Sequence, residues 1–274
     1  DSHYLPIEMS DIRTTQGRAI SLICDGVEEC IKAARYTLRE GADFIKLCGT
    51  SGGVMSERDR PEHTQFTLDE IKAVVQVAHN AKTFVTAHAQ GTEGICNAIE
   101  GGVKTVDHVF YPDDEAIEMG KKKGVIFVPT LSVMKRINEG GVEAGYPPWG
   151  VHKSREAWDT VVKNIKKLRE AGATIASGTD FLDTPLMKMG TNALELELLV
   201  KHCDFRPMDS IVSATFNGAQ ACGLEEKTGT IQKGKLADII IVEGDPVKDI
   251  KILQNLDRIK MVVKEGAIEV DRGL

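Results

Sequence analysis

From Asp25 onward, apolar positions alternate between two spacings. Stretches with apolar residues three and four apart, the signature of one buried helix face, give way after a glycine to short runs rich in Val, Ile, Thr and Phe. Asp25 followed by Glu28 reads as a capping box that opens a helix through Leu38, and Gly41 closes it before a strand over residues 43–48. The next units predict a helix over 68–80 with a strand over 83–89, and a helix over 92–100, closed by Gly101 and Gly102, with a strand over 105–109. A helix over 113–122 and Gly124 then precede a strand over 125–131, and a helix over 154–171 and Gly172 precede a strand over 174–177. Such alternation predicts βα units around a parallel sheet.

Two further β runs, 237–242 and 260–263, flank a turn at Asp245 and Pro246 and a helical turn over 250–253, and read as part of a small β appendage. Residues 138–151, rich in Gly and Pro, predict a loop overhanging the active face of the sheet. No internal repeat or low-complexity tract interrupts the pattern.

Composition narrows the class. The 274 residues are 42% hydrophobic and 27% charged, enough apolar material for one large domain with an appendage. The net charge of -7, with both signs mixed along the chain, excludes a basic nucleic-acid surface and favours a small-molecule partner. Cys24, Cys30, Cys48, Cys96, Cys203 and Cys222 form no CxxC pair, and four of them lie in apolar, periodic stretches that read as buried, which predicts a reducing, cytoplasmic setting. No apolar run reaches the roughly 18–20 residues needed to span a bilayer, and no charged-then-apolar leader precedes the first helix, so the expectation is a soluble chain without a membrane partner.

Parallel βα architectures gather reactive groups at the C-terminal ends of their strands. Lys46 in FIKLCGT, His88 in TFVTAHA, His108 in TVDHV and Asp180 in TIASGTD each fall on a different predicted strand. Singly, each has a plainer reading, since a strand-end His is often a hydrogen-bonded core residue and a strand Lys extends its ammonium to the surface. Four together, each at the end of a strand of one sheet, point to a site. Neutral imidazoles and a carboxylate suit zinc, whose open coordination position lets a water ionise near neutral pH, and Asp180 can both ligate and accept that water's proton. Lys46 is the odd member, because an ammonium repels a cation. Carboxylated by carbon dioxide, it would offer two oxygens and could bridge two metals.

The runs GADFIKLCGTSGGVMS, VTAHAQG, VDHVFYPDDE, VPTL and SGTD, in this order, resemble the prolidase and imidazolonepropionase-related branch of the amidohydrolase superfamily. The tail GTIQKGKLADIIIVEGDPVKDI resembles that superfamily's C-terminal segment, so the likeness covers nearly the whole chain. It implies an α/β fold of the (β/α)8 TIM-barrel type, with Lys46 carboxylated, His88 and His108 as ligands of two Zn2+ or other divalent ions, and Asp180 as ligand and proton acceptor. It also implies that residues 1–222 are barrel and 223–274 the C-terminal part of a β-sandwich completed by N-terminal residues.

The sequence departs from the family at one point. The His-x-His pair of the first barrel strand is absent, and His3 in DSHYLP cannot replace it. A barrel of this type has eight strands, and five are read here, corresponding to strands 4–8, so the first three are missing. The start at Asp1 without Met adds to the expectation of a C-terminal portion of a longer protein. The open edges, at the strands carrying Phe44, Val85, Val106 and Ile126, are expected to aggregate unless covered by another copy in a homo-oligomer or by a complementing N-terminal portion.

Other residues have weaker claims. His63, with Arg58 and Arg60 in the polar run MSERDRPEHTQF, could hold a substrate carboxylate, or this could be a solvated loop. Tyr111 follows the His108 strand and could face substrate, and His152 could gate it. His79 and His202 suit helix C-termini, the acidic run from Asp113 to Glu115 suits a helix N-terminus, and Trp149 and Trp158 read as packing residues. The preferred activity is metal-dependent hydrolysis of an amide in a small peptide-like substrate, an Xaa-Pro or related dipeptide. The alternatives are a cyclic-amide, imidazolone-like hydrolase and a non-catalytic barrel retained as an assembly module.

Overall fold

The computed structural model describes residues 21–49, 57–58, 60–181 and 183–273, so His3 lies outside the described residues. The first described helix, α1 (Gly26–Arg39), starts at the expected place by a different device. Asp25 makes no side-chain cap; instead its N–H donates to Glu29 Oε2 at 3.0 Å, and Gly26 N–H donates to Glu70 Oε1 at 2.7 Å. Strand β1 (Ile45–Cys48) follows. Helix α2 (Leu68–Asn80) carries a full capping box, Thr67 with Glu70, which satisfies donors that a helix start leaves open. Next come β2 (Val85–Ala89), α3 (Thr92–Gly101) and β3 (Thr105–His108). Asp113 accepts from Ala116 N–H at 2.8 Å and opens α4 (Asp114–Lys123), which leads to β4 (Ile126–Val128).

The four strands form a parallel sheet in the order β1-β2-β3-β4. Its last expected strand, 174–177, contracts to a single parallel bridge between Phe127 and Ile175, because Ser177 N–H turns away to donate to Ser213 O at 2.9 Å. β4 is also shorter than expected. Pro129 has no N–H to continue the ladder, and the chain passes straight into helix α5 (Leu131–Gly140). The expected loop over 138–151 is likewise reduced to residues 141–147, because Pro148 occupies a first-turn position where its fixed φ suits a helix and opens the long α6 (Pro148–Glu170). Helices α7 (Leu194–His202), α8 (Pro207–Ala214) and α9 (Phe216–Ala221) complete this layer.

The sheet has two unlike faces. Ile45, Leu47, Val85, Ala87, Ala89 and Val106 are buried against helices, and each such side chain contributes on the order of 1–3 kcal/mol by leaving water. Gly120 lets α4 lie close to β4, since a Cβ there would stand 2.4 Å from Phe127 Cζ. The alternate positions, Lys46, Thr86, His88, Thr105 and Asp107, form the polar face. Of the four residues expected along exposed apolar edges, Phe44 alone is exposed, at 40%, and it stacks on Phe84; Val85 and Val106 are buried because they point to the helices, and Ile126, in register with Thr105 on the opposite face, is buried as well.

A second sheet, antiparallel, joins β5 (Ile239–Val242), β6 (Ile259–Lys264) and β7 (Ala267–Asp271) in that order. A 3-10 turn at Ile250–Gln254 ties it to α7, with Gln254 Nε2 donating to Glu197 Oε2 at 2.7 Å. All six cysteines are free, and two rather than four are fully buried, Cys30 and Cys203; Cys24, Cys48 and Cys96 are partly buried and Cys222 is exposed. Among the described residues no helix is long and apolar enough to cross a membrane.

Candidate active site

Parallel register brings the polar face into line: Lys46 pairs with Thr86, Cys48 with His88, and His88 with Asp107. Lys46 Nζ reaches Asp107 Oδ2 at 2.5 Å, and Thr105 Oγ1 donates to Asp107 Oδ1 at 3.0 Å. Asp107 is a site residue beyond the four expected, and alternation in TVDHV puts it in phase with Thr105 on this face.

Alternation alone would send His108 to the opposite side with Val106. The backbone prevents this by turning left-handed, with φ of 75° at His108 and 53° at Val109, and the His108 ring lies 4.3 Å from that of His88 at 60°. Asp180, past the end of the fifth strand segment, also has a positive φ, 55°. Each such non-glycine residue costs about 1–3 kcal/mol, and strain of this kind gathers where side chains must be aimed.

The charges here are coupled. Burial, with His88 and Lys46 adding to it, holds His108 well below the ordinary imidazole range, so its ring is neutral. His108 Nδ1 lies 2.8 Å from Thr130 Oγ1, a contact the sequence did not reveal. Burial also raises the Asp180 carboxyl; Asp107 adds to the rise and Lys46 opposes it. For Lys46, burial favours the neutral amine, but Asp107 and Asp180 together outweigh it, and its pKa is raised above the usual lysine value. His88 and His108 are thus in ring contact, and Lys46 is electrostatically coupled to His108 and to Asp180.

As donors, two imidazoles, one of them held neutral, and a carboxylate fit a divalent cation, and the close ring pair puts two of them side by side. Among the described residues no three of His, Cys, Asp and Glu lie close enough to enclose an ion by themselves. Lys46 stands beside the set, electrostatically coupled to His108 and Asp180.

The weaker candidates separate. Tyr111 and His152 line a cavity of about 540 Å³ with Arg60, Phe110 and Trp149, and Phe110 sets its ring edge-on to His108 at 6.4 Å. His152 is mostly exposed there and pairs with Glu156 at 3.2 Å. Arg58 and His63 are exposed and outside that lining. Trp149 therefore faces a cavity, whereas Trp158 packs against the core and meets His202 edge-on. His79 and His202 occupy last helical turns, as expected. Gly91, just beyond β2, allows the Pro61 backbone against the site's rim, because a Cβ there would fall 1.8 Å from Pro61 O.

Residues 4–268 match the model of the Amidohydrolase family. The chain is 36% identical over 251 residues to an ochratoxinase of Aspergillus niger, covering 90% of this chain and 50% of that protein. The structure is similar to that of a prolidase complexed with N-methylphosphonate-L-proline, with a TM-score of 0.86 and 28% identity over 95% of this chain and 62% of that one. It is also similar to a Xaa-Pro dipeptidase with bound methionine, with a TM-score of 0.80 and 32% identity over 89% of this chain and 59% of that one. The chain spans about half the length of the ochratoxinase it matches.

Proposed function

This chain belongs to the amidohydrolase family, and we propose that it contributes the site of a metal-dependent hydrolase that cleaves the amide of a small peptide-like substrate, an Xaa-Pro or related dipeptide. The observation that carries this reading is the close pair of His88 and His108 rings, 4.3 Å apart, on strands neighbouring the one that carries Lys46, whose ammonium is coupled to Asp107 and Asp180. The names of the prolidase and dipeptidase relatives support the substrate class.

In this reading His88, His108 and Asp180 would hold divalent ions, two Zn2+, and Lys46, once carboxylated, would be a further ligand. A bound ion of this kind supplies Lewis acidity, making water acidic near neutral pH and polarising the scissile carbonyl. His108 is prepared for it by neutrality. Asp180, its carboxyl raised by burial, takes a proton at a carboxylate oxygen and returns it to the leaving nitrogen. For Lys46 to react with carbon dioxide, its ammonium must first release a proton and leave Asp107; the N–C bond then forms and a second proton departs. The product is an anion beside two carboxylates, so carboxylation and metal loading are expected together.

The same reading makes residues 1–222 part of a (β/α)8 barrel, strands 4–8, and 223–274 part of a β-sandwich. The closing strands would come from outside this chain, in a homo-oligomer or from a complementing portion, within the cytoplasm. Elemental analysis of the chain purified without chelator tests the site first. Near two metal equivalents per chain are expected, and none would overturn the proposal.

A further inference from the structure

Helix α5 begins in an unusual way. Its first N–H groups have no partners within the helix, and a threonine at the preceding position ordinarily supplies one from its side chain. Thr130 occupies that position, with φ of -133° and ψ of 56°, and makes no such bond. Its Oγ1 instead lies 2.8 Å from His108 Nδ1.

The capping is done from elsewhere. Glu195, in α7, accepts from Leu131 N–H at 3.0 Å and from Ser132 N–H at 2.7 Å, and Ser132 Oγ donates to it at 2.6 Å. Glu195 has no solvent exposure, and placing a carboxyl there is costly even with three donors. Burial pushes its pKa up to about 8 against the opposing pull of those donors. A threonine capping its own helix, with an apolar residue at 195, would satisfy one of these donors without burying an acid. What that arrangement would lose is the Thr130 hydroxyl for His108.

We propose that Glu195 is a positioning residue for His108: by capping α5 in place of Thr130 it fixes the Thr130 backbone and leaves the Thr130 hydroxyl to hold the His108 ring. Leu131, whose N–H Glu195 binds, is covalently next to Thr130, so the restraint passes through one peptide unit. With His108 Nδ1–H donated to Thr130 Oγ1, one tautomer is selected and Nε2 presents its lone pair. The inference rests on the reading of His108 as a site residue, and it concerns how that ring is set before any ion arrives.

Long-range 15N–1H NMR of the imidazoles in the 15N-labelled chain tests it, with His108 assigned by loss of its signals in His108→Asn. The wild-type chain is expected to show His108 in the single Nδ1–H tautomer. Thr130→Val and Glu195→Ala should each abolish that pattern, giving shifted or tautomer-averaged signals, while exposed His79 is unmoved. The double variant should show no change beyond Thr130→Val alone. If Glu195→Ala does not fold, Glu195→Gln decides: it keeps the volume and one acceptor oxygen but presents an NH2 where an acceptor stood, and it should move the His108 signals part of the way. A folded Glu195→Ala or Glu195→Gln chain with the wild-type His108 pattern would overturn the inference. A chain that binds no metal but shows the coupling would sink the hydrolase reading alone.

Discussion

Glu195 makes the stability of this chain depend on pH in a direction opposite to that of most carboxylates. Its pKa rises from the ordinary 4.5 to about 8 because no solvent reaches it. The folded state therefore binds this proton more tightly than the unfolded state, so stability is fully present below about pH 4.5 and is lost as pH rises through about 8. At ~1.36 kcal/mol per pKa unit, the whole shift is worth on the order of 5 kcal/mol, of which about 1.4 kcal/mol is lost between pH 7 and 9. Glu195→Gln removes the titration and leaves one buried N–H of α5 without an acceptor, at a constant cost of roughly 1–3 kcal/mol. The variant should thus be the less stable protein at pH 7, and the gap should narrow by about 1.4 kcal/mol at pH 9. Urea unfolding followed by the fluorescence of Trp149 and Trp158 at pH 7, 8 and 9 measures it. His108 and His202, whose pKa values are lowered, titrate on the acid side, and Cys30 and Cys203, pushed up to about 12, on the alkaline side, so none changes charge appreciably in the folded chain between pH 7 and 9, and their unfolded-state titration is common to both proteins. A gap constant from pH 7 to 9 would refute a buried Glu195 with a raised pKa.

Two substitutions at the site have equally definite outcomes. Asp180→Asn should lower dipeptide turnover by about 10²–10⁴ while the melting temperature holds, because asparagine tolerates the left-handed backbone at this position better than alanine would; unchanged turnover would remove Asp180 from proton transfer. Gly91→Ala would drive a methyl into the Pro61 carbonyl and should cost about 1–3 kcal/mol in thermal or urea unfolding, a loss that vanishes only if the Pro61 backbone yields freely.

The parts of the fold most legible in the sequence are those set by neighbours along the chain. Helix α2 is read to the residue, since Thr67 and Glu70 cap it and its apolar positions keep the 3–4 spacing throughout. The start of α6 was hidden because Gly and Pro density suggested a loop, although Gly150, Val151, Ser154 and Ala157 already follow helical spacing. Pro129, read as part of a strand, ends one. At the site, strand ends sufficed to find Lys46, His88, His108 and Asp180. Asp107 is hidden in the sequence beside a more conspicuous histidine, whereas nothing in the sequence marks Thr130 and Glu195, whose roles depend on a helix start and on partners 63 and 64 residues away.

The order of strands in the parallel sheet also bears on how the chain acquires its structure. Each strand lies beside the one made just before it, so Ile45 meets Val85, Thr86 meets Thr105, and Thr105 meets Ile126. A nascent chain emerging from the ribosome at ~5–20 residues per second never has to reserve a gap for a strand not yet synthesised. The growing edge of the sheet, opposite β1, is always the strand most recently translated, and the next βα unit docks there. The longest wait comes last among these pairings, when α5 and α6 must both emerge before Ile175 can reach Phe127. Until then β4 is the exposed template, and its ladder is only three residues long, Ile126–Val128, which limits how well a wrong strand could pair with it during synthesis.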